Sequence, residues 1–496
     1  MKSNLRCTIL ALVCAAIGSA QAPAPNLVPL PKSTLVPATA TSYPFMSASH
    51  LLKPVDLAKA GYVEEEFILS GNANVYDWAE DGKLTVRTAN APYANRILLW
   101  RPANASRFSG TVVVELLNSA RRFDWAMMGG YLADTILEHG HAYVGISPPA
   151  VAASLQKFNP ARYAALSFAN PAPDAPCPAA GKGKSAQPVE EGLRWDMFSQ
   201  TAAALKSNAP GQPMSGFNVR AIYMTTQAGD IVTYINAIHP HARLQNGKPV
   251  YDGYLIKNPP AAGRIHQCAP APAAADPRRA LQETDVPVIG LVAQGEALAA
   301  LPNRRPDRGM YRLYEIAGAA HIDGAAYSTM PVFPDQIAAA GTAQGSPDWP
   351  FNAMCDPAVP LLPQPLLKYA YNGALANLDL WVRKGVAAPK APRLDLKGAE
   401  KDAALAMDAF GHATGGIRSP YVDVPIATYH TVTPGPGTCA ELFSVTPFDA
   451  ARRQQLHGDQ KSYAGKVNTA TDRAVKAGFF TEADGKRMKA ELTGAK

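Results

Sequence analysis

The sequence lacks the features that mark several classes of protein. Charged residues make up 18% of its 496 residues, and the formal net charge of +7 is spread along the chain without a basic run. That distribution predicts no nucleic-acid partner. Beyond its first residues, the chain has no apolar run of the length that a membrane helix needs. The sequence therefore predicts no integral membrane segment in the mature protein.

The first 22 residues have the layout of a secretory signal peptide. Lys2 and Arg6 precede the apolar run TILALVCAAIG, and the small residues of AQA at 20–22 suit a cleavage site. The apolar run is too short to span a membrane comfortably. The sequence therefore predicts cleavage after Ala22 and a secreted or periplasmic protein.

No C-x-x-C pair is present, which argues against a zinc site. Four cysteines follow the signal peptide, and an even number of cysteines in an exported protein predicts two disulfides. Three pairings are open for these residues, which are Cys177, Cys268, Cys355 and Cys439.

Two pairs of histidines have a spacing that suits metal ligation, His139 with His141 and His239 with His241. Neither pair has an acidic or thiol partner close by in the sequence. The sequence therefore predicts neither a metal nor a cofactor.

Apolar residues are abundant at 47%, and the chain contains 44 prolines and 38 glycines. This composition predicts a packed globular protein with many loop-rich connections. Short alternating runs from Phe67 to Leu116 predict an antiparallel start to a sheet. Further along, apolar runs such as HAYVGISPP and YDGYLIKNP alternate with helical patterns. That alternation predicts a mostly parallel sheet with right-handed crossovers.

The order of these elements predicts one large α/β domain with additions at both ends. Residues 1–22 are the signal peptide, and residues 23–66 form an N-terminal extension. The α/β domain covers residues 67–400 and includes a lid-like insertion, rich in proline and alanine, at 150–215. Residues 401–496 form a C-terminal extension of strands and helices that packs on the same domain.

Polar residues follow several of the predicted buried strands. Thr225 follows AIYM, Glu296 follows VIGLVAQG, and His321 follows LYEIAGAA. In an open parallel sheet, ligands bind at the carboxyl ends of the strands. A hydroxyl, a carboxylate and a histidine in this chain order match the catalytic triad of an α/β-hydrolase. The carboxylate would fix the tautomer of the histidine, which would take the proton of the hydroxyl.

A loop after one strand and a residue beside the predicted nucleophile together predict an oxyanion hole. Asn118 and Ser119 follow the strand TVVVELL, and their loop would supply one backbone N–H. The N–H of Thr226, next to the predicted nucleophile, would supply the other. A hydroxyl residue at the junction of a strand and a helix also has an ordinary structural role, because it commonly caps the helix.

The chain resembles a family of bacterial secreted α/β-hydrolases whose members carry a G-E-S-Q-S-A-G nucleophile elbow before a helix of the type LVTYINA. The stretches that carry this resemblance are EEEFILSGNANVYDW, VVVELLNSARRFDWAMM, DIVTYINAIHP, EIAGAAHID, GGIRSPYVDVP and TPFDAARRQQL. The resemblance implies an α/β-hydrolase fold and the hydrolysis of an ester. It implies Thr225 as the nucleophile, His321 as the base and Glu296 as the acid. Gln294 is the alternative position for the acid.

The elbow of this chain departs from the family pattern. Where the family has G-E-S-Q-S, this chain has Tyr223, Met224, Thr225, Thr226 and Gln227. The nucleophile of such an elbow adopts a strained backbone conformation, which a β-branched residue tolerates poorly. Two hypotheses therefore stand. The protein is a hydrolase of a small carboxylic ester that acts through the altered elbow, or it is a catalytically inactive relative that keeps the cleft as an extracytoplasmic binding protein.

Overall fold

A computed structural model describes residues 26–177, 187–226, 229–342, 355, 366–398, 402–435 and 437–494. The strands, in chain order, are β1 (Asn26–Leu27), β2 (Lys32–Leu35), β3 (Tyr62–Trp78), β4 (Leu84–Pro102), β5 (Thr111–Leu116), β6 (Ala142–Ile146), β7 (Ala221–Thr226), β8 (Ala242–Arg243), β9 (Gly253–Lys257), β10 (Val288–Ala293), β11 (Tyr311–Ile316), β12 (Leu396–Lys397), β13 (Ala404–Leu405), β14 (Ala427–His430) and β15 (Ser444–Pro447).

The α-helices, in chain order, are α1 (Met127–His139), α2 (Ala152–Phe158), α3 (Pro160–Tyr163), α4 (Arg194–Lys206), α5 (Asp230–Thr233), α6 (Ala297–Ala300), α7 (Gly324–Ser328), α8 (Phe333–Ala340), α9 (Leu366–Lys384), α10 (Pro420–Asp423), α11 (Ala450–His457), α12 (Gln460–Lys476) and α13 (Glu482–Thr493). A π-helical turn, Tyr234–Ile238, follows α5 directly. Short 3₁₀ turns connect several elements, and the turn at Gln294–Glu296 after β10 carries part of the site described below.

Nine of these strands form one sheet, in the order β11-β10-β9-β7-β5-β6-β4-β3-β2. The strands β5, β6, β7, β9, β10 and β11 pair in parallel, whereas β2, β3 and β4 pair antiparallel. Each parallel strand is buried along its whole length, as its apolar sequence predicts for a sheet covered on both faces. The predicted α/β fold, mostly parallel with an antiparallel N-terminal part, is confirmed.

Helix α9 covers one face of the parallel sheet and packs beside α1. Its Asp379 accepts hydrogen bonds from the hydroxyls of Thr111 on β5 (2.8 Å) and Tyr223 on β7 (2.9 Å). Helix α1 ends at Gly140, whose φ of 70° is the left-handed value at which glycine commonly ends a helix. These helices fix the sheet from one side and leave the carboxyl ends of the strands to carry the site.

The C-terminal helices pack against α9. Gly373 of α9 makes this approach possible, because an added Cβ atom would lie 2.0 Å from the carbonyl oxygen of Phe479. The Tyr369 hydroxyl donates to Glu491 of α13 at 2.7 Å across the same contact. The strands β14 and β15 form an antiparallel hairpin in this part of the chain.

Two disulfides join distant parts of the chain. Cys177 pairs with Cys268 and Cys355 pairs with Cys439, which resolves the pairing that the sequence left open. No helix within the described residues is both long and apolar enough to cross a membrane.

Candidate active site

The candidate site lies where β9, β10 and β11 end side by side. Lys257 is the last residue of β9, Glu296 belongs to the turn after β10, and His321 follows β11 by a short loop. The three strands are neighbours in the sheet, so the residues that follow them meet at one edge. The sheet therefore brings together two of the predicted triad residues and a lysine that the sequence analysis did not single out.

Glu296 and His321 form a hydrogen-bonded pair. The Glu296 Oε1 atom contacts the Nδ1 atom of the imidazole, and the Glu296 Oε2 atom accepts the Ala293 N–H at 3.0 Å. The carboxylate is 5% exposed, whereas the His321 side chain is 22% exposed. Among the described residues none bonds to Nε2. The pair thus has the geometry of a base oriented through one ring nitrogen and accessible at the other.

Gln294, the alternative position for the acid, bonds to backbone groups in the structure. Its Oε1 atom accepts the backbone N–H groups of Gly318 (2.7 Å) and Ala413 (2.9 Å). The Gly295 N–H also donates to the carbonyl of Ala319 at 3.0 Å. These bonds tie the turn after β10 to the loop that carries the histidine, so Gln294 positions the loop rather than the imidazole ring.

Lys257 lies beside both members of the pair. Its Nζ atom is 2.5 Å from Glu296 Oε1 and 2.9 Å from His321 Nδ1, and the side chain is 1% exposed. A buried ammonium is costly without a counterion, and Glu296 is that counterion here. The sequence did carry a signal for this residue, since a charged residue ends the otherwise apolar run YLIK.

The pKa values of two buried carboxylates near the site are shifted in opposite directions. Burial opposes ionisation of Glu296, but the charge of Lys257 and the hydrogen bond with His321 outweigh it and hold the pKa of Glu296 at about 2. Burial raises the pKa of Asp323 to about 7, although the Ala325 and Ala326 N–H groups donate to that carboxylate. Glu296 is therefore the ionised partner that a catalytic histidine requires.

Thr225 lies inside β7 rather than in a turn after it. Its Cα atom is in register with Glu115 of β5 and Leu255 of β9. The residue is 0% exposed, and its Oγ1 atom has no hydrogen-bond partner among the described residues. Positive φ values occur at other non-glycine positions, among them Arg122 and Asn258 beside the site, but not at Thr225. The strained elbow conformation is thus absent from Thr225, and its hydroxyl makes no bond to His321.

The predicted oxyanion groups differ in their availability. The Asn118 N–H donates to the Trp125 carbonyl at 2.9 Å, so it is already occupied. No described residue accepts the Ser119 N–H. Thr226 ends β7 and is in register with Ile256 of β9. Gln227, the next residue of the predicted elbow, lies outside the described residues.

The loop that follows β5 is held firmly on both sides. Asp124 accepts hydrogen bonds from the buried Arg96 (3.0 Å) and from Ser147 (2.5 Å). The Trp125 indole N–H donates to the carbonyl of Ala326, in the helix after His321, at 2.9 Å. The loop with Ser119 is therefore fixed relative to the histidine, as an oxyanion loop must be.

Three of the four histidines in the two pairs have protein partners of their own. His139 contacts the Thr135 carbonyl (3.0 Å), and His141 contacts Ser109 Oγ (2.7 Å). His239 lies between Asp285 (2.6 Å) and Tyr254 (2.7 Å). Within the described residues, no group of three histidine, cysteine or acidic side chains is arranged to hold a metal ion.

A family model described as an alpha/beta hydrolase domain matches residues 26–490 of the chain. The comparison with curated proteins finds no match. Among solved structures, esterase Est22 is 12% identical, with 58% of this chain and 83% of Est22 covered at a TM-score of 0.29. An alpha-beta serine hydrolase homologue from Coxiella burnetii is 10% identical, with 49% of this chain and 88% of the homologue covered at a TM-score of 0.24. The carboxylesterase Cest-2923 from Lactobacillus plantarum is 12% identical, with 41% of this chain and 68% of that enzyme covered at a TM-score of 0.23. Because the family model covers nearly the whole chain, the protein belongs to the family of alpha/beta hydrolase domain proteins.

Proposed function

We propose that the protein is a hydrolase that cleaves a carboxylic ester by acyl transfer. His321 is the general base, Glu296 is the acid that orients it, and Thr225 is the nucleophile. The observation that carries the proposal is the buried, ionised Glu296 held against Nδ1 of a histidine whose Nε2 atom has no partner among the described residues. A site without catalytic function does not require an ionised carboxylate at Nδ1 of a histidine together with an available Nε2 atom.

The chemistry follows from the roles of these groups. The imidazole Nε2 takes the proton of the attacking hydroxyl, and the charge of Glu296 stabilises the imidazolium that forms. The oxyanion of the tetrahedral intermediate would be bound by the backbone N–H groups of Ser119 and Thr226. We favour Ser119 over Asn118 for this task, because the Asn118 N–H already donates to Trp125. The tetrahedral intermediate then collapses as its bond to the alkoxy oxygen breaks, and the imidazolium gives its proton to the departing alcohol. A water that the same histidine activates hydrolyses the resulting acyl-enzyme.

The burial of Thr225 sets a condition on this mechanism. Its hydroxyl must come within about 3 Å of His321 Nε2 to pass on its proton. It makes no hydrogen bond in the structure and is shielded from solvent, so attack requires the carboxyl end of β7 to move. The same burial favours a second candidate function, that of a binding protein which keeps the fold and the cleft without turnover.

The segment 150–215 is our proposed lid. Its Arg194 donates to Asp230, the first residue of α5, at 2.8 Å, and Cys177 links it to the segment after β9. A polar cleft of about 440 Å³ opens there, lined by Cys177, Gln187, Glu191, Arg194, Asp230, Arg264 and Gln267. A larger cavity of about 550 Å³ lies between α4 and the β3–β4 hairpin, and none of its lining residues belongs to the site. The residues that line the polar cleft do not belong to the site either, so we assign the substrate, a small molecule with an ester group, to neither space.

We also propose that the protein is exported. The signal-peptide layout of residues 1–22 and the two disulfides support this location, because disulfides form and persist in oxidising compartments. Recovery of the exported fraction with Pro23 as its first residue is the expected result. Recovery of an exported chain that still begins at Met1 would contradict it.

The function is tested with a panel of aliphatic and aryl esters. The mature protein should hydrolyse at least one of them, and His321→Ala should lose activity by about 10³-fold or more. His139→Ala is the matched control, since that histidine contacts the Thr135 carbonyl (3.0 Å) at the C-terminal end of α1, away from the residues of the site. A wild type that binds esters without turnover would favour the second candidate.

A further inference from the structure

The Nδ1 atom of His321 contacts both Glu296 and Lys257, and these two contacts cannot both be hydrogen bonds of the same histidine tautomer. Glu296 can accept a hydrogen bond from Nδ1 only when Nδ1 carries the proton. The ammonium of Lys257, 2.9 Å from the same Nδ1 atom, can donate to it only when Nδ1 carries none. The site therefore offers His321 two alternative arrangements, and Lys257 takes part in both.

The two arrangements have opposite chemical consequences. When Lys257 donates to Glu296 alone (2.5 Å), the proton stays on Nδ1 and Nε2 is free to act as a base. When Lys257 donates to Nδ1, the proton of the neutral ring moves to Nε2. A protonated Nε2 atom cannot take a proton from a nucleophile.

We propose that Lys257 is a positioning residue that sets the tautomer of His321 and so controls whether the base is available. The inference rests on the proposed function, in which His321 is that base. Lys257 is suited to this task because it is the terminal residue of a buried strand and its side chain is 1% exposed, so solvent does not compete for its protons.

The surroundings leave the lysine few alternative acceptors. The nearest charged groups from other elements are Glu296 in the turn after β10 and Asp323 at the start of α7. Tyr131 of α1 and Tyr371 of α9 stack on each other, with ring centroids 5.1 Å apart, and both interact with the charges of these carboxylates. Asp323 is engaged by two backbone N–H groups of its own helix, so the Lys257 ammonium is shared between Glu296 and His321.

The direct test is the protonation pattern of the His321 ring, read by nitrogen NMR after selective labelling of histidine. The resonances are assigned by their loss in His321→Ala. In the wild type we expect averaged signals of two tautomers. Lys257→Met removes the competing donor and should leave the proton on Nδ1 alone, whereas Glu296→Gln removes the carboxylate and should move the proton to Nε2.

Lys206→Met is the matched control. That lysine is also largely buried and paired with a carboxylate, Asp252, at 2.8 Å, but it lies outside the site. The control should keep the wild-type ring signals. Identical signals in the wild type and Lys257→Met would overturn the proposal. If Lys257→Met does not fold, Glu296→Gln decides, and a ring pattern unchanged from the wild type would equally overturn it.

Hydrolysis gives a separate readout. In an active enzyme, Lys257→Met should raise kcat about two- to tenfold without a change in KM, because the competent tautomer becomes the whole population. A kcat that falls together with an unchanged ring pattern would reduce Lys257 to a structural role. If the wild type hydrolyses no ester, the proposed function fails, but the tautomer measurement still tests the effect of Lys257 on the ring.

Discussion

At the scale of single residues, burial alone does not decide whether a carboxylate near the site is charged. Glu296 has a lysine and a histidine as partners, and these overcome the cost of removing its charge from water. Asp323 has only backbone N–H donors, which are too weak to do the same. The difference leaves Glu296 ionised, as its proposed role requires, and predicts that Asp323 makes stability depend on pH.

Asp323 should make the protein less stable as the pH rises from about 4 to about 7. Its pKa is raised to about 7 in the folded state, so the folded protein binds the proton more tightly than the unfolded chain. The stabilisation is complete below the unfolded pKa of 3.8 and is lost as the pH passes the folded value. Asp323→Asn keeps the helix cap and should reduce the fall in unfolding free energy between pH 5 and pH 8 by about 1–3 kcal/mol.

Urea unfolding at the two pH values measures this effect. Asp459→Asn is the matched control, because Asp459 also caps a helix through its carboxylate but lies in solvent. The control should leave the pH dependence unchanged. A difference between pH 5 and pH 8 that is the same in the wild type and Asp323→Asn would refute the assignment.

Thr225 separates the two candidate functions. In an active enzyme, Thr225→Ala should lower kcat by about 10³-fold or more, because the nucleophile is lost. Thr225→Ser should raise the rate, since it removes the methyl group that restricts the approach of the hydroxyl. Initial rates on the best ester of the panel provide the measurement, with Thr201→Ala as a control for loss of a buried threonine hydroxyl elsewhere.

Two other outcomes of the Thr225 substitutions would argue against Thr225 as the nucleophile. Full activity in Thr225→Ala would reject covalent catalysis at this residue and leave His321 as the base for a water molecule. Inactivity of the wild type and of both variants would favour the binding protein, because the serine would then fail to restore a working elbow.

The contacts that the sequence could not predict are clearest at the scale of single residues. Chain order was sufficient to pair Glu296 with His321, because strand neighbours in a parallel sheet bring their carboxyl ends together. The charged end of the apolar run YLIK set Lys257 apart, but its contacts with the pair could not be inferred before β9 was known to lie beside β10. Chain order also could not anticipate that Asn118 would donate to Trp125, because that contact depends on how an irregular loop folds back on itself.

At the scale of elements, the buried strands and the long amphipathic helices were predictable from their apolar patterns. Helix α9 (Leu366–Lys384) buries residues at helical spacing, among them Leu367, Ala374 and Leu378. The helix predicted after β7 is split into α5 and the π-helical turn Tyr234–Ile238, a detail that periodicity does not encode. The sheet also includes β2 and begins β3 at Tyr62, within the stretch assigned to the N-terminal extension.

The contact between α9 and the C-terminal helices should be sensitive to one methyl group. Gly373→Ala would place a Cβ atom 2.0 Å from the Phe479 carbonyl oxygen, so either the helix or the loop must shift. We expect the free energy of unfolding to fall by about 1–3 kcal/mol, as for other overpacked contacts. Gly465→Ala is the control, since that glycine lies in α12 with open space around it. The control should gain up to about 1 kcal/mol from helix propensity.

Thermal or urea unfolding of the two alanine variants measures the difference. A loss of stability in both variants would point to helix-wide effects and not to the contact with Phe479. Equal stability of Gly373→Ala and the wild type would show that the C-terminal helices are free to move away from α9.

At the scale of the whole molecule, the disulfides connect the proposed lid and the C-terminal region to the domain that carries the site. Cys268 belongs to the segment after β9, the strand that ends in Lys257. Cys439 lies two residues before Glu441, whose carbonyl accepts the N–H of Ile322, the residue after the proposed base. Each bond therefore restrains a segment that is connected to the site through a few residues.

Removal of either disulfide should lower the stability of the folded protein. Cys177 and Cys268 are 91 residues apart, and a cross-link that closes a loop of that length should stabilise the folded state by about 4 kcal/mol, mainly by restricting the unfolded chain. The double variant Cys177→Ser/Cys268→Ser should lose stability of this order, and Cys355→Ser/Cys439→Ser, whose loop spans 84 residues, should lose a similar amount. Peptide mapping of the unreduced protein should recover the two pairs seen in the structure, with no free thiol after denaturation. Four free thiols would reject both the pairing and the oxidising compartment. If the bonds are present in the wild type but neither double variant loses stability, the unfolded chain is already restricted in some other way.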